Sequence, residues 1–91
     1  MEVRVNNMHN KILVVLEVPS IEKKYNVFLP INKKVSNIII LLTKAVSELT
    51  SGGYISRGNE GLYNKMSGIQ YDRDVYLKDS DLTNGSTVIL I

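Results

Sequence analysis

Only one stretch of this chain repeats its apolar residues at helical spacing. Val35, Ile38, Ile39, Leu42, Ala45, Val46 and Leu49 fall on one broad face of an amphipathic helix, expected over about Val35 to Thr50. Asn32 stands in the region expected to cap it, and Gly52-Gly53 stands where it should stop. A single amphipathic helix has no second helix against which to bury such a face. The remaining apolar residues must therefore supply a sheet, which places the chain in the α+β class.

The flanking segments supply it. Before the helix, "KILVVLEV" (residues 11 to 18) is rich in β-branched residues and bounded by Pro19-Ser20, so it reads as a strand. "EKKYNVFLP" reads as a second strand stopped by Pro30, and the short connection between the two suits a hairpin. After the helix, "SGGYISRGNEG" reads as a mobile loop. "LYNKM" reads as a short strand, Ser67-Gly68 as a turn, "IQY" and "VYL" as short extended pieces, and "DSDL" as a compact turn. The turn signal Asn84-Gly85 then leads into a final strand, Thr87 to Ile91. This order fits a mixed sheet of about four to five strands with one helix packed across one face. The first and last strands should lie parallel at its centre, covered on at least one face, which accounts for their apolar character. Residues 1 to 10, "MEVRVNNMHN", read as an N-terminal arm or short strand, and residues 11 to 91 as the domain.

Composition narrows the function classes. The chain has 91 residues, which is one domain with a modest core, and 44% hydrophobic against 22% charged residues marks it as globular. With no cysteine, disulfides, thiolate chemistry and Cys-ligated metals are excluded. The net charge is +2, and Lys23-Lys24 and Lys33-Lys34 are short pairs rather than a basic stripe, so nucleic acid is not an expected partner. "ILVVL" and "IIILL" are too short to span a bilayer or serve as a signal segment, so direct membrane insertion is not expected and the location expected is cytoplasmic.

No catalytic, cofactor or metal site is expected. His9 is the only histidine, has no second His or Cys to join it, and reads as an exposed loop residue. Asp79 and Asp81 lack the spaced oxygens of a calcium loop, and Asp79 should accept hydrogen bonds from its own turn. Asp72, Arg73 and Asp74 read as a solvated turn. Gly52, Gly53, Gly58 and Gly61 do not match a phosphate loop. The tyrosines at 25, 54, 63, 71 and 76 are scattered, and packing with the hydroxyl at the surface is expected.

The closing "LKDSDLTNGSTVILI" resembles the end of ubiquitin-like β-grasp proteins. Leu77, Asp79 and Leu82 stand where those proteins have a Leu-x-Asp-x-x-Ile turn, and Thr87-Val88-Ile89-Leu90-Ile91 where they have their last strand. Over roughly residues 11 to 91 the chain is most similar to the YukD/EsaB group, small ubiquitin-like proteins of bacterial type VII secretion systems. The loop after the helix is glycine-rich and lacks the Pro-Pro of ubiquitin, and residues 1 to 10 have no clear counterpart. The resemblance implies a non-catalytic module acting by protein–protein contact, an accessory that docks onto the cytosolic part of a secretion machinery. Two alternatives share the fold. A ubiquitin-type modifier or sulfur carrier ends in a flexible Gly-Gly tail, whereas Leu90 and Ile91 close this sequence. Freeing that end would expose Val88 and Leu90 at roughly 1.5–3 kcal/mol each, so conjugation is not expected unless the tail has been truncated. An RNA-binding β-grasp domain needs a clustered basic and aromatic surface, which the sequence does not display.

The apolar excess points to a partner surface. If Ile12, Val14, Leu16 and Val18 face the helix, alternation puts Leu13 and Val15 on the other face of the sheet. In the last strand Val88 and Leu90 point in, and Ile89 and Ile91 point out. The third strand is expected to bring Asn64 and Lys65 to the same face, so ubiquitin's own recognition patch is not reproduced. On the helix Ile40 lies nearly opposite the core face and Leu41 on its edge. Leu13, Val15, Ile40, Ile89 and Ile91 are therefore the candidate partner-binding residues. The sheet patch could be covered by a protein partner, by a second copy in a homodimer, or by residues 1 to 10, and Ile40 could be an ordinary scattered surface residue.

Overall fold

The structure, a computed structural model, describes residues 10–91; the N-terminal arm expected from the sequence, His9 included, otherwise lies outside the described residues. The elements run β1 (Lys11–Val18), a 3-10 turn (Pro19–Ile21), β2 (Lys23–Pro30), α1 (Val35–Leu49), β3 (Leu62–Asn64), a second 3-10 turn (Leu77–Asp79) and β4 (Thr87–Leu90). Among the described residues the sheet has four strands in the order β2-β1-β4-β3. β1 and β4 pair in parallel at its centre, with Val15 beside Thr87 and Glu17 beside Ile89. The edges are antiparallel, β2 against β1 and β3 against β4. This is the ubiquitin-like α+β arrangement, with one helix laid across a mixed sheet.

The core follows from the two periods. Val14, Leu16 and Val18 of β1, Val88 and Leu90 of β4, and Leu62 of β3 turn to one side and are buried against Val35, Ile38, Ile39, Leu42 and Val46 of α1. Each such side chain contributes about 1.5–3 kcal/mol relative to exposure. Leu77 and Leu82, from the turn before β4, close one end of the core. Leu49 does not join the helix's buried face as its spacing suggests: it is the last helical residue and is 61% exposed.

Several local expectations give way to tertiary contacts. The N-cap of α1 is Lys34, not Asn32, and it makes no side-chain cap hydrogen bond. The first helical amides instead donate to carbonyls of a distant loop, Val35 to Val75 (2.9 Å) and Ser36 to Arg73 (3.0 Å). At the other end, Gly52 N donates to Ser47 O and Ser51 N to Glu48 O, with Ser51 (φ 51°) and Gly52 (φ 84°) both left-handed. That is a Schellman stop whose left-handed C′ residue is Ser51, one position before the expected Gly52-Gly53, with Gly52 following as C″. The Asn84-Gly85 turn does not join a hairpin. It delivers the chain to a parallel strand, and its backbone and side chain bind β1: Leu13 N donates to Asn84 Oδ1 (2.8 Å) and Gly85 N to Leu13 O (2.8 Å). "LYNKM" shrinks to Leu62–Asn64, while "IQY" and "VYL" contribute only single bridges, Gln70 to Tyr63 and Tyr76 to Lys34. In the second 3-10 turn Ser80 performs the role expected of Asp79: its hydroxyl donates to Leu77 O and accepts from Leu82 N.

Candidate functional site

The sheet face turned away from α1 has no covering element among the described residues, and cross-strand pairing arranges its side chains in rows. Leu13 sits beside Phe28, and the two are 39% and 48% exposed. Val15 lies between Asn26 and Thr87 in the next row. Glu17 follows, between Lys24 and Ile89, with Tyr63 beyond Ile89. Leu13, Val15 and Ile89 therefore share the face as alternation predicts. Phe28 and Tyr63 extend it, and the sequence reading missed both because each depends on cross-strand register.

The same face carries an ion-pair cluster. Lys65 Nζ donates to Glu17 Oε2 at 2.6 Å, and Lys24 Nζ lies 3.8 Å from the same oxygen. The Lys65 hydrogen bond holds the Glu17 carboxyl below the usual carboxylate range. Apolar and charged patches thus alternate along the sheet, Leu13 and Phe28 toward one end and Ile89 beside the carboxylate. Of the two β3 residues expected here, Lys65 reaches the face through this pair. Asn64 does not: it pairs with Val88, and its amide donates to Tyr71 Oη (2.9 Å).

Ile91 stands at the end of the sheet, in register with Gly61, and Ile40 lies on α1. Ile91 exchanges backbone hydrogen bonds with Gly61, and its residue lines a cleft of about 280 Å³ with Ile21, Tyr54, Ile55 and Arg57. Ile40, 62% exposed, lines a shallow groove of about 490 Å³ along α1 with Lys44, Ser47, Glu48 and Ile55. Ile55 borders both depressions and is 81% exposed. Of the five candidate residues, Leu13, Val15 and Ile89 share the open face, Ile91 continues the alternation of Ile89 at the sheet's end, and Ile40 lies apart on α1.

The loop between α1 and β3, expected to be mobile, is organised around a buried carboxylate. Glu60 is 2% exposed. Its Oε2 accepts from Tyr54 Oη (2.8 Å) and Arg57 N (2.9 Å), and its Oε1 from Ser56 Oγ (2.9 Å). Burial alone would raise its pKa, but the Arg57 amide and the two hydroxyls outweigh it and hold the carboxyl at about 2. Tyr54 is correspondingly pushed up to about 12, by burial first and then by the Glu60 hydrogen bond. Its hydroxyl faces this carboxylate in the interior, contrary to the expected surface placement. Arg73, read as part of a solvated turn, donates from Nη1 to the Glu60 carbonyl (2.8 Å). Asp72 does cap its own turn, accepting from Asp74 N. No cluster of three His, Cys, Asp or Glu side chains suited to a metal occurs among the described residues.

A scan against known protein families finds no match, and neither does a search of curated proteins. Solved structures do match. The ubiquitin-like domain of EccD5 from Mycobacterium xenopi aligns with a TM-score of 0.72 at 17% identity, covering 89% of this chain and 92% of that one. The ubiquitin-like domain of the Mycobacterium tuberculosis type VII secretion protein EccD1 aligns at 0.70 and 17% identity, covering 89% and 97%. A chain of the MycP5-free ESX-5 inner membrane complex aligns at 0.73 and 22% identity over 90% of this chain, which spans only 21% of that longer one. At these identities the likeness establishes the ubiquitin-like fold.

Proposed function

We propose that this protein is a non-catalytic ubiquitin-like module that works by protein–protein contact, as a cytoplasmic accessory of a bacterial type VII secretion system. The observation that carries the reading is the open sheet face. Leu13 and Phe28 lie side by side on it, and Val15 and Ile89 share it, with no covering element among the described residues. Apolar side chains grouped on one face of so small a domain mark a contact surface. The Lys24–Glu17–Lys65 cluster beside them supplies the polar rim typical of a partner interface. The assignment to secretion rests on the fold shared with EccD ubiquitin-like domains and on the resemblance carried by residues 77–91. The partner is a component of the secretion machinery, with a second copy of this chain as the competing occupant. No helix among the described residues is long and apolar enough to cross a membrane.

The test is the double variant Leu13→Lys/Ile89→Lys. Both side chains stand on the open face, so the variant should keep its cooperative melting. It should lose co-purification with secretion components from the native host, or lose the dimer in sedimentation if the occupant is a second copy. Unchanged association in both assays would refute the proposed surface.

A further inference from the structure

One edge of the sheet leaves its hydrogen-bonding groups open among the described residues. β2 is an outer strand, and its pairs with β1 run unbroken from Lys11 beside Pro30 to Val18 beside Lys23. The backbone of Leu13 is turned away from β2: its N–H donates to Asn84 Oδ1 and its carbonyl accepts from Gly85 N. Val15 N likewise donates to Ser86 O. In an antiparallel ladder, residues directly opposite each other either exchange both bonds or both turn away. Phe28 and Asn26, opposite Leu13 and Val15, therefore aim their N–H and C=O groups outward from the sheet, and alternation adds Lys24. Among the described residues none of these three forms a backbone hydrogen bond elsewhere.

The row is bounded at both ends. Pro30, the next position along, has no N–H, and the Glu22 N–H is already given to Pro19 O (3.0 Å). Between those ends the outward positions are Lys24, Asn26 and Phe28, symmetrical about Asn26. An open strand edge is a template for another strand, and natural proteins guard it with lysines, prolines, bulges or a covering element. Here Lys23, Lys24 and Pro30 guard only the ends. Residues Tyr25 to Leu29 carry no charge and no bulge, and no element covers that edge among the described residues.

We propose that β2 pairs antiparallel with β2 of a second copy about a two-fold axis through Asn26, joining the two sheets into one. In that register Asn26 stands opposite the partner's Asn26, and Lys24 opposite the partner's Phe28. Every outward N–H meets a C=O, and none is left over. The side chains agree with this register. On the open face each Lys24 ammonium comes beside the exposed ring of the partner's Phe28, a favourable cation–aromatic pair. The two Asn26 amides each offer a donor and an acceptor. On the helix side Tyr25 comes opposite the partner's Val27, an aromatic against a β-branched residue, and both are half-buried against their own core. No like charges meet. Moving the axis to Tyr25 sets Phe28 against Glu22, whose N–H is already used, and moving it to Lys24 sets two lysines side by side. An unrelated extended peptide fits the edge less well, because nothing in it need match the reciprocity of the row about its central residue. β1 and β4 separate this edge from Tyr63 of β3, and the pairing does not depend on what covers the open face.

The chain has no cysteine, which makes the register testable by cross-linking. Opposite residues of a hydrogen-bonded antiparallel pair have Cα atoms about 5.5 Å apart, within the range a disulfide spans. Asn26→Cys should therefore give a disulfide-linked dimer under mild oxidation, and so should an equimolar mixture of Lys24→Cys and Phe28→Cys. Lys24→Cys alone should not, since the two copies of that position would lie roughly 13 Å apart. Sedimentation velocity over a concentration series should show the parent protein in monomer–dimer equilibrium. Asn26→Pro removes an outward N–H but no bond to β1, so it should still melt cooperatively while the dimer weakens about tenfold or more. Phe28→Lys, which sets like charges opposite each other, should weaken it similarly, whereas Ile89→Lys should leave it unchanged. A parent protein that sediments as a monomer throughout would overturn the pairing. So would a dimer indifferent to both Asn26→Pro and Phe28→Lys, or cross-linking of Asn26→Cys and of the mixture no faster than that of Lys24→Cys alone.

Discussion

Replacing Glu60 by alanine removes the acceptor of three hydrogen bonds at once. The donors are not equally affected. Ser56 and Arg57 belong to exposed residues, and the serine hydroxyl can turn to water. The Tyr54 hydroxyl belongs to a residue only 6% exposed, and it would be left without its partner. A buried orphan of this kind costs about 1–3 kcal/mol, and the Arg57 amide adds a smaller amount. The expected loss for Glu60→Ala is about 3 kcal/mol, or roughly 12–24 °C in melting temperature for a domain of this size. Glutamine should cost less, about 1–2 kcal/mol. Its carbonyl can still accept from Tyr54 and Arg57, while its amide meets a serine oxygen able to accept in turn.

The same hydrogen bonds make the stability depend on pH. The folded carboxyl titrates at about 2 instead of 4.5, so the folded protein holds this proton more weakly than the unfolded chain. The stabilisation is complete above about 4.5 and is lost as pH falls toward about 2. At about 1.4 kcal/mol per pH unit this amounts to roughly 3 kcal/mol, carried by the same hydrogen bonds. Urea unfolding followed by circular dichroism, at neutral pH and through the acid range, measures both. Wild type and Glu60→Gln should converge in stability as the solution is acidified. An unchanged urea midpoint for Glu60→Ala, or a constant gap between Glu60→Gln and wild type down to pH 2, would refute the role given to this carboxylate.

Tyr54, whose folded pKa is raised from 10.0 to about 12, stabilises the protein fully below pH 10 and loses that contribution as pH rises toward 12; Tyr54→Phe should show a flatter alkaline unfolding profile. Asn84→Ala removes the side-chain acceptor of the Leu13 amide and should cost about 1 kcal/mol in urea unfolding, with faster hydrogen exchange at Leu13. Gly85 stands at φ 89°, so Gly85→Ala should destabilise by roughly 1–3 kcal/mol even though no atom would crowd the new methyl group.

What could be read in the residues themselves was what local period and chain order control. Spacing of three and four marks α1, alternation marks the buried and open sides of β1 and β4, and Gly52-Gly53 marks the helix stop to within one residue. The parallel pairing of the first and last strands was also legible, because both are too apolar for a sheet edge. The candidate residues were legible only in part. Alternation places Leu13, Val15 and Ile89 on one face, but neither Phe28 beside Leu13 nor the carboxylate of Glu17 beside Ile89 follows from the period of a single strand.

Tertiary structure decided the rest, wherever a group's partner lies far along the chain. Glu60 stands in a glycine-rich stretch that looks solvated, and its burial depends on the fold carrying Tyr54 inward from the end of α1. The start of α1 has no capping side chain, because the carbonyls of Arg73 and Val75 satisfy its amides across a gap in sequence that no local motif spans. Lys34 and Lys78 look like unrelated solvated charges until the Lys34–Tyr76 bridge sets their ammonium groups 6.0 and 5.8 Å from the Tyr76 ring centroid. Period is a property of neighbours and survives in the sequence. A hydrogen bond or a charge cluster closed by a long loop exists only after folding has met the entropy of bringing its ends together.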